Sequence, residues 1–170
     1  KAMSIDGIMN IGSVSKTFTA VAAMQLWEKG LVDLDADIST YLGFQIRNPR
    51  YPDKPITISQ IMTHTSSIRD GKAYEESYIC GDPAVSLDDW IRGALIPDGK
   101  FYNKGDNFAE WSPGEKTTYS NVAFGVLGLI VEKVARQPFN LYCREHIFQP
   151  LGMKHTGWMI SEVDTSNYIR

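Results

Sequence analysis

The spacing of apolar residues along the chain predicts a set of helices. After Ser13, apolar side chains recur three or four positions apart, at Val14, Phe18, Val21, Ala22 and Leu26. This spacing places them on one face of a helix, with Ser13 as the N-cap and Gly30 as the stop signal. The pattern predicts a long amphipathic helix over about residues 13–29.

A second apolar pattern predicts another long helix over about residues 120–135. Its expected buried side carries Val122 or Phe124, Leu127, Ile130 or Val131, and Val134. The apolar run at residues 122–131 is about ten residues long and includes two glycines. A membrane-spanning helix needs roughly 18 or more apolar residues, so this run predicts a buried helix and no transmembrane segment in this chain.

Shorter helices are predicted by their capping residues. Thr57 and Gln60 have the spacing of a capping box, and Ser86 precedes an apolar stripe that continues to about residue 95. Pro138 is placed to begin a further helix, and residues 99–114 are expected to form a loop. Each of these short helices therefore has a local start signal.

Strand patterns are sparse. Residues 1–11 have a composition that suits one strand, and residues 156–160 are expected to begin another, but no series of alternating strands follows. A chain of 170 residues is long enough to bury a sizeable core as one domain. The sequence predicts a mainly α-helical segment over residues 1–170.

Composition and charge exclude several classes of partner. The formal net charge of −3 gives no attraction to nucleic acid, and the 43% hydrophobic content is ordinary for a globular protein. Cys80 and Cys143 lie far apart, and the three histidines lack metal-ligand spacing. We therefore expect no disulfide framework, metal or cofactor, and nothing in the sequence indicates an oligomeric state.

Ser13 and Lys16 are the first candidates for chemistry. At helical positions i and i+3 they share one face, so the amine lies beside the hydroxyl that it would help to activate. The alternative is a capping serine and a solvated lysine. A phosphate-binding loop is disfavoured, because Asn10 and Ser15 occupy positions where that motif requires glycine.

A second candidate motif lies at the start of the second long helix. Tyr119-Ser120-Asn121 is the only Tyr-x-Asn sequence in the chain, and Pro113-Gly114 lies in the loop before it. Junctions between a loop and a helix are favourable places from which to aim functional side chains. Helix capping by Ser120 or Asn121 is the structural alternative.

Several motifs follow one another along the chain in an order typical of one family. They are Ile11-Gly12-Ser13-Val14-Ser15-Lys16-Thr17, Gly30-Leu31-Val32-Asp33-Leu34-Asp35, Thr63-His64-Thr65-Ser66, Pro113-Gly114 before Tyr119-Ser120-Asn121, and Pro150-Leu151-Gly152-Met153. Together they resemble the serine β-lactamase and penicillin-binding protein superfamily, and most closely its class C β-lactamase-like branch. That branch also holds D-alanyl-D-alanine carboxypeptidases and esterases.

The resemblance implies a role for four residues. Ser13 would be the nucleophile that forms an acyl-enzyme, and either Lys16 or Tyr119 would be its base. Asn121 would bind Lys16 and the acylamino side chain of a substrate. The implied substrates are small acyl compounds or peptides, namely β-lactams, D-alanyl peptides or esters. No metal is implied, and the family suggests a periplasmic, cell-envelope or secreted location.

Two departures from the family pattern shape the expected fold. Ser67 stands where the family usually has glycine, so we expect a left-handed turn there to be strained or shaped differently. The third family motif, a Lys- or His-x-Gly strand, is not found: Lys154-His155-Thr156-Gly157 has similar letters but directly follows the Pro150 segment.

The chain therefore resembles the helical lobe of the α+β β-lactamase and DD-peptidase fold, without most of the antiparallel sheet. It starts at Lys1, close to Ser13, which indicates an N-terminus that is processed or omitted. The alternative to a serine hydrolase is a non-catalytic or truncated binding module of the same fold.

Overall fold

The computed structural model describes residues 7–169 and is mainly α-helical. The helices are α1 (Ser15–Glu28), α2 (Ser39–Leu42), α3 (Ile58–Met62), α4 (Lys72–Glu75), α5 (Leu87–Leu95), α6 (Lys104–Asn107), α7 (Asn121–Ala135) and α8 (Phe139–Cys143). A π-helical turn (Arg144–Phe148) continues α8, and 3-10 turns lie at Gly12–Val14, Ile160–Glu162 and Thr165–Asn167.

The described residues contain isolated β-bridges but no sheet. The bridges join Ile8 to Tyr168, Asp37 to Thr57, and Ile68 to Phe108. The predicted fold class, a mainly α-helical segment without most of a sheet, is confirmed. The strand expected at residues 156–160 is wrong, because a 3-10 turn begins at Ile160. The strand expected at residues 1–11 falls partly outside the described residues, and its described part forms only the bridge at Ile8.

Helix α1 differs from its prediction at the N-terminus. Ser13 is not an N-cap: it lies inside the 3-10 turn that precedes the helix, and the capping position at Val14 has no side-chain hydrogen bond. The buried face is also rotated, since Val14 and Val21 are 60% and 44% exposed. The side chains that α1 buries are Thr19, Ala22, Ala23 and Leu26. Small alanines on this face allow α1 to pack closely against α7.

Helix α7 is the centre of the core and confirms its prediction. Ser120 caps it, because its hydroxyl accepts a hydrogen bond from the Ala123 N–H at 3.0 Å. Its buried residues cover most of its circumference: Val122, Ala123, Val126, Leu127, Gly128, Leu129, Ile130 and Val131. A helix that is apolar on nearly all sides is stable only when other elements surround it. Helices α1, α2, α3, α5 and α8 all pack against it.

The capping signals of the shorter helices are confirmed. Thr57 and Gln60 form a reciprocal capping box at α3, and the Ser86 hydroxyl accepts from the Asp89 N–H at the start of α5. The loop predicted at residues 99–114 is wrong in part, because it contains α6. The Asn103 side chain accepts from the Gly105 N–H there, a local bond that nucleates one helical turn.

The turn at Ser67 keeps the left-handed conformation and is strained. Ser67 has φ +63° and is buried, and its hydroxyl accepts a hydrogen bond from Asn48 Nδ2 at 3.1 Å. A serine in this conformation carries steric strain that glycine avoids. The bond to Asn48 offsets part of that strain, since Asn48 is itself fully buried and needs partners.

Two further observations concern the described residues. None of their helices is both long enough and apolar enough to cross a membrane. The two cysteines are free, with Cys80 exposed and Cys143 buried, and burial raises the pKa of the Cys143 thiol to about 11.

Candidate active site

Ser13 and Lys16 face each other at the start of α1. Lys16 Nζ donates a hydrogen bond to Ser13 Oγ at 3.1 Å. Ser13 sits in the exposed 3-10 turn, and Lys16 follows in the first turn of the helix, where it is half-buried. The i, i+3 spacing therefore produces the contact predicted from the sequence, although the helix begins two residues later than expected.

Tyr119 reaches the same serine from the other long helix. It lies two residues before α7, and its hydroxyl donates to Ser13 Oγ at 2.6 Å. The Lys16 ammonium lies 4.7 Å from the centre of the Tyr119 ring, a cation–π distance. Ser13 Oγ thus has two groups within hydrogen-bond distance that exchange protons, which is the arrangement that activates a hydroxyl for attack on a carbonyl carbon.

Asn121 completes the cluster through Lys16. Its Oδ1 accepts a hydrogen bond from Lys16 Nζ at 2.5 Å. Asn121 is the first residue of α7, directly after the Ser120 cap, so the start of the helix determines where its side chain points. The structure brings together all four residues singled out in the sequence, namely Ser13, Lys16, Tyr119 and Asn121.

The positive charge of Lys16 affects the pKa of Tyr119. The nearby Lys16 ammonium, and next the hydrogen bond with Ser13, lower the pKa of the Tyr119 phenol below its ordinary value of 10.0. Both partners stabilise the phenolate, whereas the nearby Asp70 carboxylate opposes it. A tyrosine with a lowered pKa is a better base at neutral pH than an unperturbed one.

Sequence reasoning missed Asp70, which lies behind Asn121. Its carboxylate accepts hydrogen bonds from the Asn121 side-chain amide at 2.6 Å, the Asn121 and Val122 N–H groups at 3.0 and 2.9 Å, and the Ser120 hydroxyl at 3.0 Å. These partners lie about fifty residues away in sequence. No local pattern distinguishes this aspartate from a surface residue, so only the fold identifies it.

His64 is the second residue that sequence reasoning did not place in the site. Its Nδ1 accepts a hydrogen bond from the Ser120 N–H at 3.2 Å, and its ring packs on those of Tyr119 and Phe124. Burial, and next the positive charge of Lys16, lower the pKa of His64 below its ordinary value of 6.5, while Asp70 partly opposes this. His64 is therefore neutral at pH 7. In this state its Nδ1 accepts the hydrogen bond from Ser120, the residue before α7.

The segment Lys154-His155-Thr156-Gly157 lies elsewhere. Lys154 and Thr156 line a cavity of about 350 Å³ together with Arg144, Phe148 and Glu162. None of the four candidate site residues lines this cavity. Over residues 7–169, no group of three or more His, Cys, Asp or Glu side chains is arranged to hold a metal ion.

Comparison with known proteins identifies the family. The sequence matches the family model described as Beta-lactamase over residues 1–168. It is 32% identical over 149 residues to "Putative penicillin-binding protein PbpX" of Bacillus subtilis (strain 168), covering 87% of this chain and 32% of that protein. The chain thus spans about a third of the length of this curated relative.

Two solved structures share the fold of this chain. The octameric penicillin-binding protein homologue from Pyrococcus abyssi superposes with a TM-score of 0.70 at 30% identity, over 89% of this chain and 33% of that one. EstCE1, a hydrolase with promiscuous acyltransferase activity, superposes with a TM-score of 0.76 at 24% identity, over 99% and 43%. The chain therefore belongs to the beta-lactamase family, a family of serine hydrolases.

Proposed function

We propose that residues 1–170 form part of a single serine hydrolase domain that transfers an acyl group to Ser13 and then to water. The observation that carries this proposal is the pair of hydrogen bonds at Ser13 Oγ, 2.6 Å to the Tyr119 hydroxyl and 3.1 Å to Lys16 Nζ. Neither hydrogen bond caps α1, because the capping position of that helix is Val14 and not Ser13.

Tyr119 is the proposed base. For this step the phenol, which donates to Ser13 Oγ in the structure, first ionises. The phenolate then takes the proton from Ser13 as Oγ bonds to the carbonyl carbon of the substrate, and the Lys16 ammonium stabilises the phenolate. Two observations support this assignment over Lys16 as the base: the shorter distance from Tyr119 to Ser13 and the lowered pKa of the phenol.

The remaining steps use the same residues. The bond from the carbonyl carbon to the leaving nitrogen or oxygen breaks, and the leaving group takes the proton held by Tyr119. Water then attacks the Ser13 ester and gives a proton to Tyr119. The bond from the carbonyl carbon to Ser13 Oγ breaks, Tyr119 returns the proton to Ser13 Oγ, and the carboxylic acid product leaves. The Ser13 N–H, near the N-terminus of α1, is the proposed donor to the oxyanion. Asn121 holds Lys16 and binds the acylamino group of the substrate.

The proposed substrates are acyl compounds, namely β-lactams, D-alanyl peptides or esters. The names of two relatives point to penicillin as the first probe. The exposed position of Ser13 allows access to its hydroxyl from solvent.

Intact-mass spectrometry tests the proposal. The protein in its complete natural form is incubated with benzylpenicillin and, separately, with an activated aryl ester. We expect a mass increase equal to the acyl group, which Ser13→Ala abolishes. Ser15→Ala is the matched control, because it removes a nearby hydroxyl that bonds to Gly12 O and not to Lys16 or Tyr119.

The opposite outcome favours the alternative function. If the folded wild-type protein binds penicillin reversibly but gains no mass with either reagent, the hydrolase proposal is wrong. The chain would then belong to a binding module of the same fold.

A further inference from the structure

We propose that Asp70 is a positioning residue: its carboxylate fixes the side-chain amide of Asn121 in the one orientation that presents Oδ1 to Lys16. This inference rests on the proposed function of Ser13 and Lys16, and it adds to the site a residue that never touches the substrate.

The two ends of the Asn121 amide face opposite charges. Nδ2 donates to Asp70 Oδ2 at 2.6 Å, and Oδ1 accepts from Lys16 Nζ at 2.5 Å. A carboxylate only accepts hydrogen bonds and an ammonium only donates them. A flipped amide would therefore place its oxygen against Asp70 and its NH₂ group against Lys16. Asp70 and Lys16 together allow a single orientation.

Asp70 is itself held from two sides. Its oxygens accept from the Asn121 and Val122 N–H groups at the first turn of α7 and from the Ser120 hydroxyl. Negative charge is favourable at this end of a helix. The backbone before Asp70 is fixed by the bridge of Ile68 with Phe108 and by the Arg69 N–H, which donates to Asn107 O at 2.8 Å.

Helix capping alone does not account for these contacts. Ser120 already caps α7 through the Ala123 N–H, and a capping carboxylate has no need to bind an asparagine side chain. The bond to Asn121 Nδ2 is what connects Asp70, through Asn121 and Lys16, to Ser13. The Lys16 ammonium is thereby kept in place beside the two hydroxyls.

A double-mutant cycle separates the positioning role of Asp70 from its effect on the stability of the protein. The rate constant for acylation by an activated ester is measured for wild type, Asp70→Asn, Asn121→Ala and the double variant. Asp70→Asn is expected to slow acylation on the order of 100-fold, the scale of a misplaced catalytic group. In the Asn121→Ala background the same change is expected to have an effect below about threefold, since the residue it acts through is gone.

Glu162→Gln is the matched control. Glu162 also accepts several hydrogen bonds, from the Asn140 side chain and from the Trp158 and Met159 N–H groups, but none of these partners belongs to the site. It is expected to lower thermal stability while leaving the acylation rate of the folded protein unchanged. Equal effects of Asp70→Asn in both backgrounds, or a wild-type rate in Asp70→Asn, would overturn the proposal.

A second measurement does not depend on activity or on the folding of a variant. In the wild-type protein labelled with ¹⁵N-asparagine, one Asn121 side-chain proton is expected downfield and protected from solvent exchange. A rapidly exchanging Asn121 amide overturns the positioning role. If wild type gains no acyl group while this proton is protected, the hydrolase proposal fails and the positioning of Asn121 by Asp70 stands.

Discussion

The Tyr119 hydroxyl lies 2.6 Å from the Ser13 hydroxyl, although 106 residues separate them in sequence. This contact exists because α1 and α7 pack against each other with their N-terminal ends at the same side of the molecule. Ser13 and Lys16 come from one helix start, and Tyr119 and Asn121 from the other. The core packing of two helices therefore assembles the candidate site.

Tyr119→Phe tests which group is the base. The substitution keeps the ring that packs on His64 and removes the hydroxyl that contacts Ser13. We expect the acylation rate to fall by about 10²- to 10⁴-fold, the usual contribution of a general base. The free energy of unfolding should change by less than about 0.5 kcal/mol, because Tyr119 is 51% exposed. Stopped-flow acylation and urea unfolding provide the two values.

Tyr78→Phe is the control for this substitution. It also removes a tyrosine hydroxyl with a 2.6 Å hydrogen bond, in this case to Tyr74, and Tyr78 is 73% exposed. Its acylation rate should equal that of wild type. A Tyr119→Phe variant within threefold of wild type would assign the base role to Lys16 instead.

The neutral state of His64 predicts a pH-dependent stability. The pKa of His64 is lower in the folded protein than its ordinary value of 6.5, so the unfolded chain binds the proton more readily. The contribution to stability is complete above about pH 6.5, and it is lost as the pH falls below that value toward the folded pKa. Protonation also removes Nδ1 as the acceptor of the Ser120 N–H.

Urea unfolding between pH 7.5 and pH 5 measures this loss. His64→Asn is a suitable variant, because His64 has φ +58° and asparagine tolerates the left-handed region. We expect its stability to vary less with pH than that of wild type over this range. His155→Asn, at an exposed position, should retain the wild-type dependence. Equal slopes for wild type and His64→Asn would contradict the role given to His64.

The strained backbone of Ser67 predicts different effects on stability for two small substitutions. Ser67→Ala keeps the left-handed strain and loses the hydrogen bond from Asn48, so it should lower the free energy of unfolding by about 1 kcal/mol. Ser67→Gly also loses the bond but relieves the strain, and should be about 1 kcal/mol more stable than Ser67→Ala. Chemical denaturation of both variants gives this difference. A glycine variant less stable than the alanine variant would contradict it.

Local signals in the sequence were sufficient for much of the fold. Thr57, Ser86 and Ser120 cap helices where the sequence predicts, because an N-cap depends on residues within one turn. The start of α1 was missed, since the Ser13 hydroxyl bonds to Lys16 and Tyr119 rather than capping the helix. The buried face of α1 depends on packing against α7, which no local pattern specifies.

The candidate site was predictable only where spacing or a motif marked it. Ser13 and Lys16 follow from helical spacing, whereas Tyr119 and Asn121 required the family resemblance. Neither spacing nor a motif marks Asp70 in the sequence, because its partners at the start of α7 come near it only after the chain folds. A residue that acts through another residue is therefore identified only when the structure is known.

Peptide mapping of the acyl adduct tests the central claim most directly. The complete natural protein is acylated with benzylpenicillin or an activated ester, digested at low pH, and sequenced by tandem mass spectrometry. The peptide around the start of α1 contains four hydroxyl residues, Ser13, Ser15, Thr17 and Thr19, which fragmentation distinguishes. We expect the acyl group on Ser13. An adduct on any of the other three residues, or no adduct on the folded protein, would contradict the assignment of Ser13 as the nucleophile.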